Sequence, residues 1–526
     1  MIALIDRGAA AIVHARLTSL KNCRVQKVLV MCGIASVFGP DVSARYDFSS
    51  MLSSLVHRGP DDTGVIQESN WALGHQRLSI VDVKGGHQPM QAASKRLYSV
   101  CNGEIYNFQD LRSRHFSDYS FRTAADSEVL LPLFQTFGKD LSQYLDGMFS
   151  FVVSDDNEWL AGRDRIGIKP LYYGTTGDSI FFASELKALI NCAETIHEFP
   201  NGYYYHSQAG LVPYYQLPEV TNFQQDVETI LIDIQQTLAK SVQKRLMSDV
   251  PVGVFLSGGL DSSIIAALMK QQVSELHSFA VGLPHSPDLK AARLVAEHLG
   301  TTHHEYVYSE AEMQAVLPEV IYYLESYDPA LVRSAIPCYI VSQLASQHVK
   351  VVLSGEGADE LFAGYSYFAD YDDPAALHEE SVAILQGLHN LNLQRVDRMT
   401  MAHSLEGRVP FLDVDFIECC LQIDPQLKLY STFGSEKWLL RKAFEDLLPK
   451  EIVWRDKMEF AQGCASSGVL EKHAEVAISQ QDLADAIAQG LPVSSQEELL
   501  YYRIFQKHFP HPDAARVIGR WGGTLH

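Results

Sequence analysis

The chain has 526 residues, 20% of them charged and 47% apolar; this is ordinary globular usage and excludes a largely disordered or collagen-like chain. At roughly 150 residues per domain it is long enough for more than one. Its 42 basic and 64 acidic residues give a formal net charge of −22, a poor balance for nucleic-acid binding, which rests on neutralising phosphates.

Any polyanion must therefore be held by local basic groups, backbone amides and metal. No run approaches the roughly 20 apolar residues of a membrane span. Neither a nucleic-acid nor a membrane partner is expected, and the chain reads as soluble and cytoplasmic. Eight cysteines are scattered without a CxxC pair and read as reduced thiols.

Met1 to Val30 carry Arg7, Arg16, Lys21, Arg24 and Lys27 against the single acid Asp6. A secretory signal would show a clean apolar core and a small-residue cleavage site, and neither is present. Basic, acid-poor composition also fits an organelle transit peptide. The reading adopted is that residues 1–31 are an extension or a mis-assigned start, with Met31 as initiator. Met31-Cys32-Gly33-Ile34 then opens a strand-like run, Ile34 to Phe38. With Met31 removed, Cys32 carries a thiol and a free α-amine. That amine has an ordinary pKa near 7.7–8.0 and can serve as the base for its own nucleophile.

Further along come His57-Arg58-Gly59-Pro60-Asp61, Gly74-His75-Gln76-Arg77-Leu78-Ser79 and Asn102-Gly103-Glu104-Ile105-Tyr106-Asn107. Asp126-Ser127-Glu128, Leu145-Asp146-Gly147-Met148-Phe149 and Gly162-Arg163-Asp164 follow. Attack on a side-chain amide develops an oxyanion that needs preorganised donors; Asn102 offers an amide NH2 and Gly103 an unhindered backbone N–H. Arg77 can fork onto an α-carboxylate, and Glu104 and Asp126 can accept from an α-ammonium. The bland alternatives are a surface ion pair for Arg77 and Asp126 and a hairpin turn at Asn102-Gly103. In this order the segments resemble the class II glutamine amidotransferase domain, an N-terminal-nucleophile hydrolase. The resemblance implies an αββα sandwich over residues 32–213 and these same roles for the matching residues.

Residues 214–227 are polar and turn-rich and read as a linker, followed by an amphipathic helix from about Val227 to Met247. Val250 to Leu256 reads as a buried strand running into Ser257-Gly258-Gly259-Leu260-Asp261-Ser262-Ser263, with a helix expected from Ile264 to Gln272. Strand, glycine loop and helix turn backbone N–H groups onto a phosphate. The loop lacks the lysine of a P-loop. It resembles the PP-motif of ATP pyrophosphatases, which cradle the β,γ-pyrophosphate.

Strands at His277–Val281, His304–Val307 and Lys350–Leu353, with helices between, predict a doubly wound, mostly parallel sheet. The last strand ends in Ser354-Gly355-Glu356-Gly357-Ala358-Asp359-Glu360, at the edge where ligands bind such sheets. Asp261 and Asp359 are candidate Mg2+ ligands, since magnesium takes one or two carboxylates plus phosphate oxygens. Glu356 is a candidate for positioning or proton work.

Arg398 to Asp413 and Trp454-Arg455-Asp456-Lys457-Met458-Glu459-Phe460 complete the set. From Met31 onward the chain resembles the glutamine-hydrolysing asparagine synthetases. The resemblance implies a synthetase domain over residues 228–526 with a helical C-terminal part. It also implies ATP contacts from Phe255, Leu256, Ser257, Gly258, Gly259, Asp261, Ser262, Val281, Ser354, Gly355 and Lys457. The expected reaction is ATP-dependent amidation of aspartate through a β-aspartyl-adenylate, with glutamine as nitrogen donor and ATP, Mg2+, glutamine and aspartate as the small molecules bound; a homodimer is left open. One stretch departs from the pattern: Ala330-Leu331 stands where a pair of threonines is expected in the aspartate loop, while Arg333 remains for the acceptor carboxylate. A pocket that lacks an expected hydrogen bond can change which substrate it accepts, so the alternative is a relative amidating another carboxylic acid.

Overall fold

The computed structural model describes residues 32–521 apart from 94–95, 156, 459, 465 and 467. Met1 to Met31 and Glu459, which enter the sequence reading, lie outside the described residues. The amino-terminal part holds two antiparallel six-stranded sheets. The strands are β1 (Gly33–Phe38), β2 (Asp62–Gln67), β3 (Trp71–Arg77), β4 (Met90–Gln91), β5 (Tyr98–Ile105) and β6 (Gly147–Ser154). They continue as β7 (Trp159–Arg163), β8 (Tyr172–Thr176), β9 (Ser179–Ala183), β10 (Thr195–Glu198), β11 (Tyr203–His206) and β12 (Gly210–Pro213). One sheet runs β10-β8-β9-β1-β3-β2 and the other β12-β11-β7-β6-β5-β4.

Alternation in β1 shows why the sheets face each other. Ile34 and Phe38 join Leu73, Val100, Val152 and Phe182 between the sheets. Ala35 and Val37 point the other way, onto Phe48, Met51 and Leu52 of the outer helix Phe48–Ser53. With side chains alternating every residue, β1 is buried on both faces and reads as a continuous apolar run. On the far side, Leu111, Leu130 and Leu131 from two helices pack on Phe149 and Phe151 of β6. The expected αββα sandwich is the result. Asn102 and Gly103 are not a hairpin turn; they lie inside β5, paired with Ser150 and Phe149.

Residues 214–226 carry no helix or strand. A helix over Val227–Arg245 leads into β13 (Val252–Phe255), β14 (His277–Gly282), β15 (Thr302–Val307), β16 (Val351–Leu353) and β17 (Glu406–Arg408). All pairings in this sheet are parallel, in the order β15-β14-β13-β16-β17. The order reverses between β13 and β16, and the crevice beyond their carboxyl ends is where such sheets bind ligands. The helix after β13 starts at Leu260 and ends at Lys270, so Asp261 and Ser262 belong to its first turn rather than to a loop before it. The short β17 has no alternating pattern to announce it. Helices Val469–Ala477, Gln480–Ala488 and Gln496–His508 form the carboxyl-terminal part.

The two parts meet through a continuous apolar cluster in which Leu78, Ile80, Met148, Ile166 and Ile168 pack with Leu353, Val409 and Phe411. Beside it lies a buried ion network. The Arg58 guanidinium donates to Glu185 Oε1 at 2.6 Å and forks onto Asp397 at 2.8 and 3.1 Å, while its Nε donates to the Cys32 carbonyl at 3.1 Å. Arg398 reaches Glu325 at 3.2 Å, and Lys187 reaches the same carboxylate at 3.0 Å. Burial alone would raise the Glu185 carboxyl, but His57, Lys187, Arg398 and Arg58 hold it well below the ordinary range.

Removing one partner from a buried pair strands the other and costs about 3–5 kcal/mol. Asp397→Asn keeps the shape and removes the charge that faces Arg58. Its thermal midpoint in scanning calorimetry is expected several degrees below that of the unmodified chain. An unchanged midpoint would mean that Glu185 alone neutralises Arg58.

Candidate active sites

Cys32 precedes β1 and is half-buried. Its sulfur accepts from the Leu78 N–H at 3.4 Å and lies 3.7 Å from the Leu78 carbonyl. Burial pushes its thiol up to about 12, with Glu104 adding to the rise and Arg77 opposing it. The thiol therefore needs a base to become a nucleophile.

Asn102, Gly103 and Glu104 follow one another in β5. The Asn102 amide is fully buried with Oδ1 unpartnered, and Nδ2 has only a long 3.5 Å contact to Ser150 Oγ. Gly103 holds φ +120°, and a Cβ there would stand 2.0 Å from the Met148 carbonyl oxygen, so no other residue fits without moving β6. Asp126 accepts from the Ile105 N–H at 2.6 Å. Burial lifts its carboxyl to about 6 against that hydrogen bond. Glu104 turns one oxygen to Arg408 at 3.3 Å and leaves Oε2 without a partner. Arg77 is buried at the end of β3 and donates to the Asp82 and Val83 carbonyls at 2.7 and 3.2 Å. Neither Arg77 nor Asp126 is half of a surface ion pair.

A second site lies beyond β13 and β16, in a cavity of about 470 Å3, a volume suited to a nucleotide-sized ligand. Phe255, Leu256, Ser257, Gly259, Asp261 and Ser262 form one side and Val281 another. Ser354, Gly355 and Glu356 come from the loop after β16 and Asp359 from the short helix Ala358–Leu361 that follows it, and Lys457 and Arg333 close the cavity. Gly258 faces away. Its φ is +74°, and a Cβ would meet the Ala291 carbonyl carbon at 2.4 Å, so glycine lets helix Pro287–Leu299 press against the loop. Gly355 likewise lets the second loop sit on the first, since a Cβ there would lie 3.0 Å from the Ser262 nitrogen. Ser257 Oγ accepts from the Gly259 N–H at 3.2 Å and lies 3.1 Å from Ser262 Oγ, which cups the loop around the helix N-terminus.

The charges of this cavity meet in a small volume. The Lys437 ammonium lies 2.6 Å from Asp261 and also contacts Asp359, which Lys457 reaches as well. Burial would raise the Asp359 carboxyl, but Lys437 and Lys457 hold it far below its ordinary value. Asp261 keeps Oδ1 buried and unpartnered. Two carboxylates already sharing one cation, with an oxygen to spare, fit a Mg2+ ion that completes its shell with phosphate oxygens. Among the described residues no group of three or more metal-ligating side chains occurs. Glu356 accepts from Arg395 at 2.5 Å. Arg455 donates to the Gly258 carbonyl at 3.2 Å and to Asp288 at 2.8 Å, tying its own loop to the glycine loop.

Residues 31–227 match a family model described as a glutamine amidotransferase domain, and residues 233–375 and 369–522 match one described as asparagine synthase. The chain belongs to the asparagine synthase family. It is 40% identical over 516 residues to asparagine synthetase B [glutamine-hydrolyzing] of Escherichia coli (strain K12), covering 93% of each chain. It is 40% identical over 534 residues to a probable asparagine synthetase [glutamine-hydrolyzing] of Schizosaccharomyces pombe, covering 93% of this chain and 96% of that one. With asparagine synthetase [glutamine-hydrolyzing] 1 of Saccharomyces cerevisiae it shares 37% over 549 residues.

Against that membership two features of the cavity stand out. Arg333 lines it, but its guanidinium is already paired with Glu497, which Nε meets at 2.9 Å. Lys437 was not singled out from the sequence. It follows the turn Gly434-Ser435-Glu436 and adopts φ +54° just before helix Trp438–Ala443. A single lysine in a polar turn carries no local signal of a partner 176 residues away.

Lys437→Met leaves Asp261 and Asp359 facing each other with Lys457 as the remaining cation. The loss of one buried partner is worth about 3–5 kcal/mol. A thermal midpoint several degrees lower is expected by scanning fluorimetry, with part of the loss recovered on adding Mg2+. A midpoint equal to the unmodified chain's, without Mg2+, would contradict this account of the acidic pair.

Proposed function

We propose that this chain makes asparagine from aspartate, using glutamine as nitrogen donor and ATP as activator, and releases glutamate, AMP and pyrophosphate. The observation that carries the reading is the joining, in one chain, of a buried thiol beside amide donors with a glycine loop and acidic pair at the edge of a parallel sheet. The relatives named above are all described as glutamine-hydrolysing asparagine synthetases, which favours aspartate over another carboxylic acid. The ordinary division is residues 32–213 for glutamine hydrolysis, 214–227 as link and 228–526 for synthesis. Free thiols at all the described cysteines support a reducing, cytoplasmic setting.

In this reading the residues preceding Cys32 are removed, and its α-amine takes the thiol proton as the sulfur attacks the glutamine amide. The Asn102 amide and the Gly103 N–H donate to the oxyanion. Arg77 forks onto the substrate carboxylate, and Glu104 and Asp126 accept from its ammonium. Collapse releases ammonia, and water clears the thioester. In the second site the Ser257–Gly259 loop, the helix turn at Asp261 and Ser262 and Lys457 receive the phosphates, with Phe255, Val281, Ser354 and Gly355 around the rest of the nucleotide. Mg2+ held by Asp261 and Asp359 would supply positive charge to the departing pyrophosphate. Arg333, whose Nε and Nη2 are engaged by Glu497, keeps Nη1 to offer the acceptor carboxylate, and Glu356, steadied by Arg395, positions the reacting groups. Ammonia then displaces AMP from the acyl carbon. The apolar cluster that joins Leu78, next to the Cys32 sulfur, to Leu353 and Val409 is suited to carry ammonia in its neutral, nucleophilic form.

Cys32→Ala is expected to lose glutamine hydrolysis and glutamine-dependent asparagine synthesis while keeping synthesis from ammonium salts. Loss of both by a folded variant would break the proposed division of labour.

Asp126 also sets a pH limit. With its carboxyl lifted to about 6, it is ionised above that value and neutral below it, where it no longer attracts an ammonium. Protonation of the Cys32 α-amine already lowers kcat/KM for glutamine below its own pKa; below about 6 the fall is expected to steepen by a further factor of about ten per pH unit, while ammonium-driven synthesis lacks both limbs. The profile of Asp126→Asn should be low and keep only the amine limb; the same steepening near 6 in the variant would assign it to another group.

A further inference from the structure

Helix Pro329–Ala345 forms a wall of the synthetase cavity and starts at Asp328, whose Oδ1 accepts from the Leu331 N–H at 2.9 Å. The second oxygen of Asp328 accepts from the backbone N–H of Trp521 at 3.1 Å. Beside it, Arg520 lies over the Tyr327 ring at 5.1 Å, donates to the Tyr327 hydroxyl at 2.9 Å and pairs with the buried Glu498 at 2.7 Å. The tail is thus fastened to the cap of the helix by backbone and side chain together. So held, the Trp521 indole meets Tyr365 edge to face at 5.2 Å, at the rim of the cavity that both residues line. The Tyr365 hydroxyl donates to Glu360 at 2.5 Å, and its ring supports the Lys457 ammonium at 4.9 Å. Lys457 is the group that reaches Asp359.

We propose that Trp521 is a positioning residue for the synthetase reaction: it walls the mouth of the cavity, keeps water from the acyl-adenylate and holds Tyr365 beneath Lys457. The proposal rests on the asparagine-forming reading above. An acyl-adenylate has two fates. Ammonia can form a bond to the acyl carbon as the bond to the AMP oxygen breaks, giving the amide. Water can do the same and return aspartate and AMP, so that ATP is consumed with no product. A site that must await ammonia from a separate centre therefore needs its adenylate sheltered. The indole suits that task, being a large apolar plate with restricted rotamers. Ala330 and Leu331 on the clamped helix add apolar surface on the same side. The Tyr365 contact gives the wall a second consequence, because Lys457 stands on the ring that Trp521 abuts.

The test compares the unmodified chain with Trp521→Ala and Trp521→Phe, each full length, at saturating glutamine, aspartate and MgATP. The readout is pyrophosphate released per amide formed. The unmodified chain and the Phe variant are expected near one, and the Ala variant higher by at least about threefold, with glutamine hydrolysis unchanged as the check on folding. Tryptophan emission is a second readout. MgATP with aspartate should alter it in the unmodified chain, and the change should shrink in Trp521→Phe. An unchanged ratio in a folded Trp521→Ala variant overturns the wall. A principal product other than asparagine in the unmodified chain overturns the aspartate reading instead, while the ratio per amide still judges Trp521.

Discussion

The Arg58 guanidinium is the constraint on which the two-part architecture turns. Fully buried, it must be neutralised and hydrogen-bonded or the chain does not close. Its partners lie in distant stretches: Glu185 in the same domain, Asp397 across the interface, and the Cys32 carbonyl at the start of β1. A charge that demands all three at once fixes how the sandwich sits on the parallel sheet. Apolar packing between Leu78, Ile80 and Met148 and the synthetase core supplies most of the attraction, because such burial is roughly proportional to area. Area alone is permissive about angle and register, and the bidentate fork onto Asp397 is not.

Helix Asn392–Met401 transmits that constraint. Arg395 holds Glu356 in the synthetase cavity, Asp397 receives Arg58, and Arg398 pairs with Glu325 and Glu185. One rigid element therefore touches both centres, and nearly every polar residue on it is buried. That burial explains a composition that looks wrong for a core helix. Asn392, Gln394, Arg395 and Asp397, broken only by Leu393 and Val396, suggest a solvated face, yet each finds a partner from another element. The placement of Glu356 and the seating of Cys32 are set by the same few side chains.

This is also where the sequence became hard to read. The β1 run, the glycine loop after β13 and the SGEGADE turn after β16 announce themselves because their constraints are local: alternation, missing Cβ atoms, a strand feeding a helix. Cys32, Asn102, Gly103, Asp261 and Asp359 are legible from their motifs together with the family resemblance those motifs carry. Lys437, Arg395 and Arg58 were not assigned roles, since what defines each is a carboxylate far away along the chain. Arg333 was legible as a cation in the acceptor region, but its bond to Glu497 depends on the docking of helix Gln496–His508. The helix begins at Leu260, four residues before the expected Ile264, for a related reason. A glycine N-cap with no side-chain cap bond and an acidic first turn leave nothing local to mark where the helix begins.

The protonation states in the interface suit the reaction as well as the fold. Ammonia crossing between the centres, as proposed above, would stay nucleophilic only if no acid on its way gave it a proton. Burial would raise the carboxyls of Glu185 and Asp397, but the surrounding cations hold both below the ordinary range, so they are ionised and have no proton to give. Glu104 differs: burial, with Asp126 and Glu406 nearby, lifts it well above the ordinary range despite Arg408. Glu104 lies beside Cys32 and Asp126, and a substrate ammonium bound there would add a cation beside it and so favour the charged form that holds that ammonium.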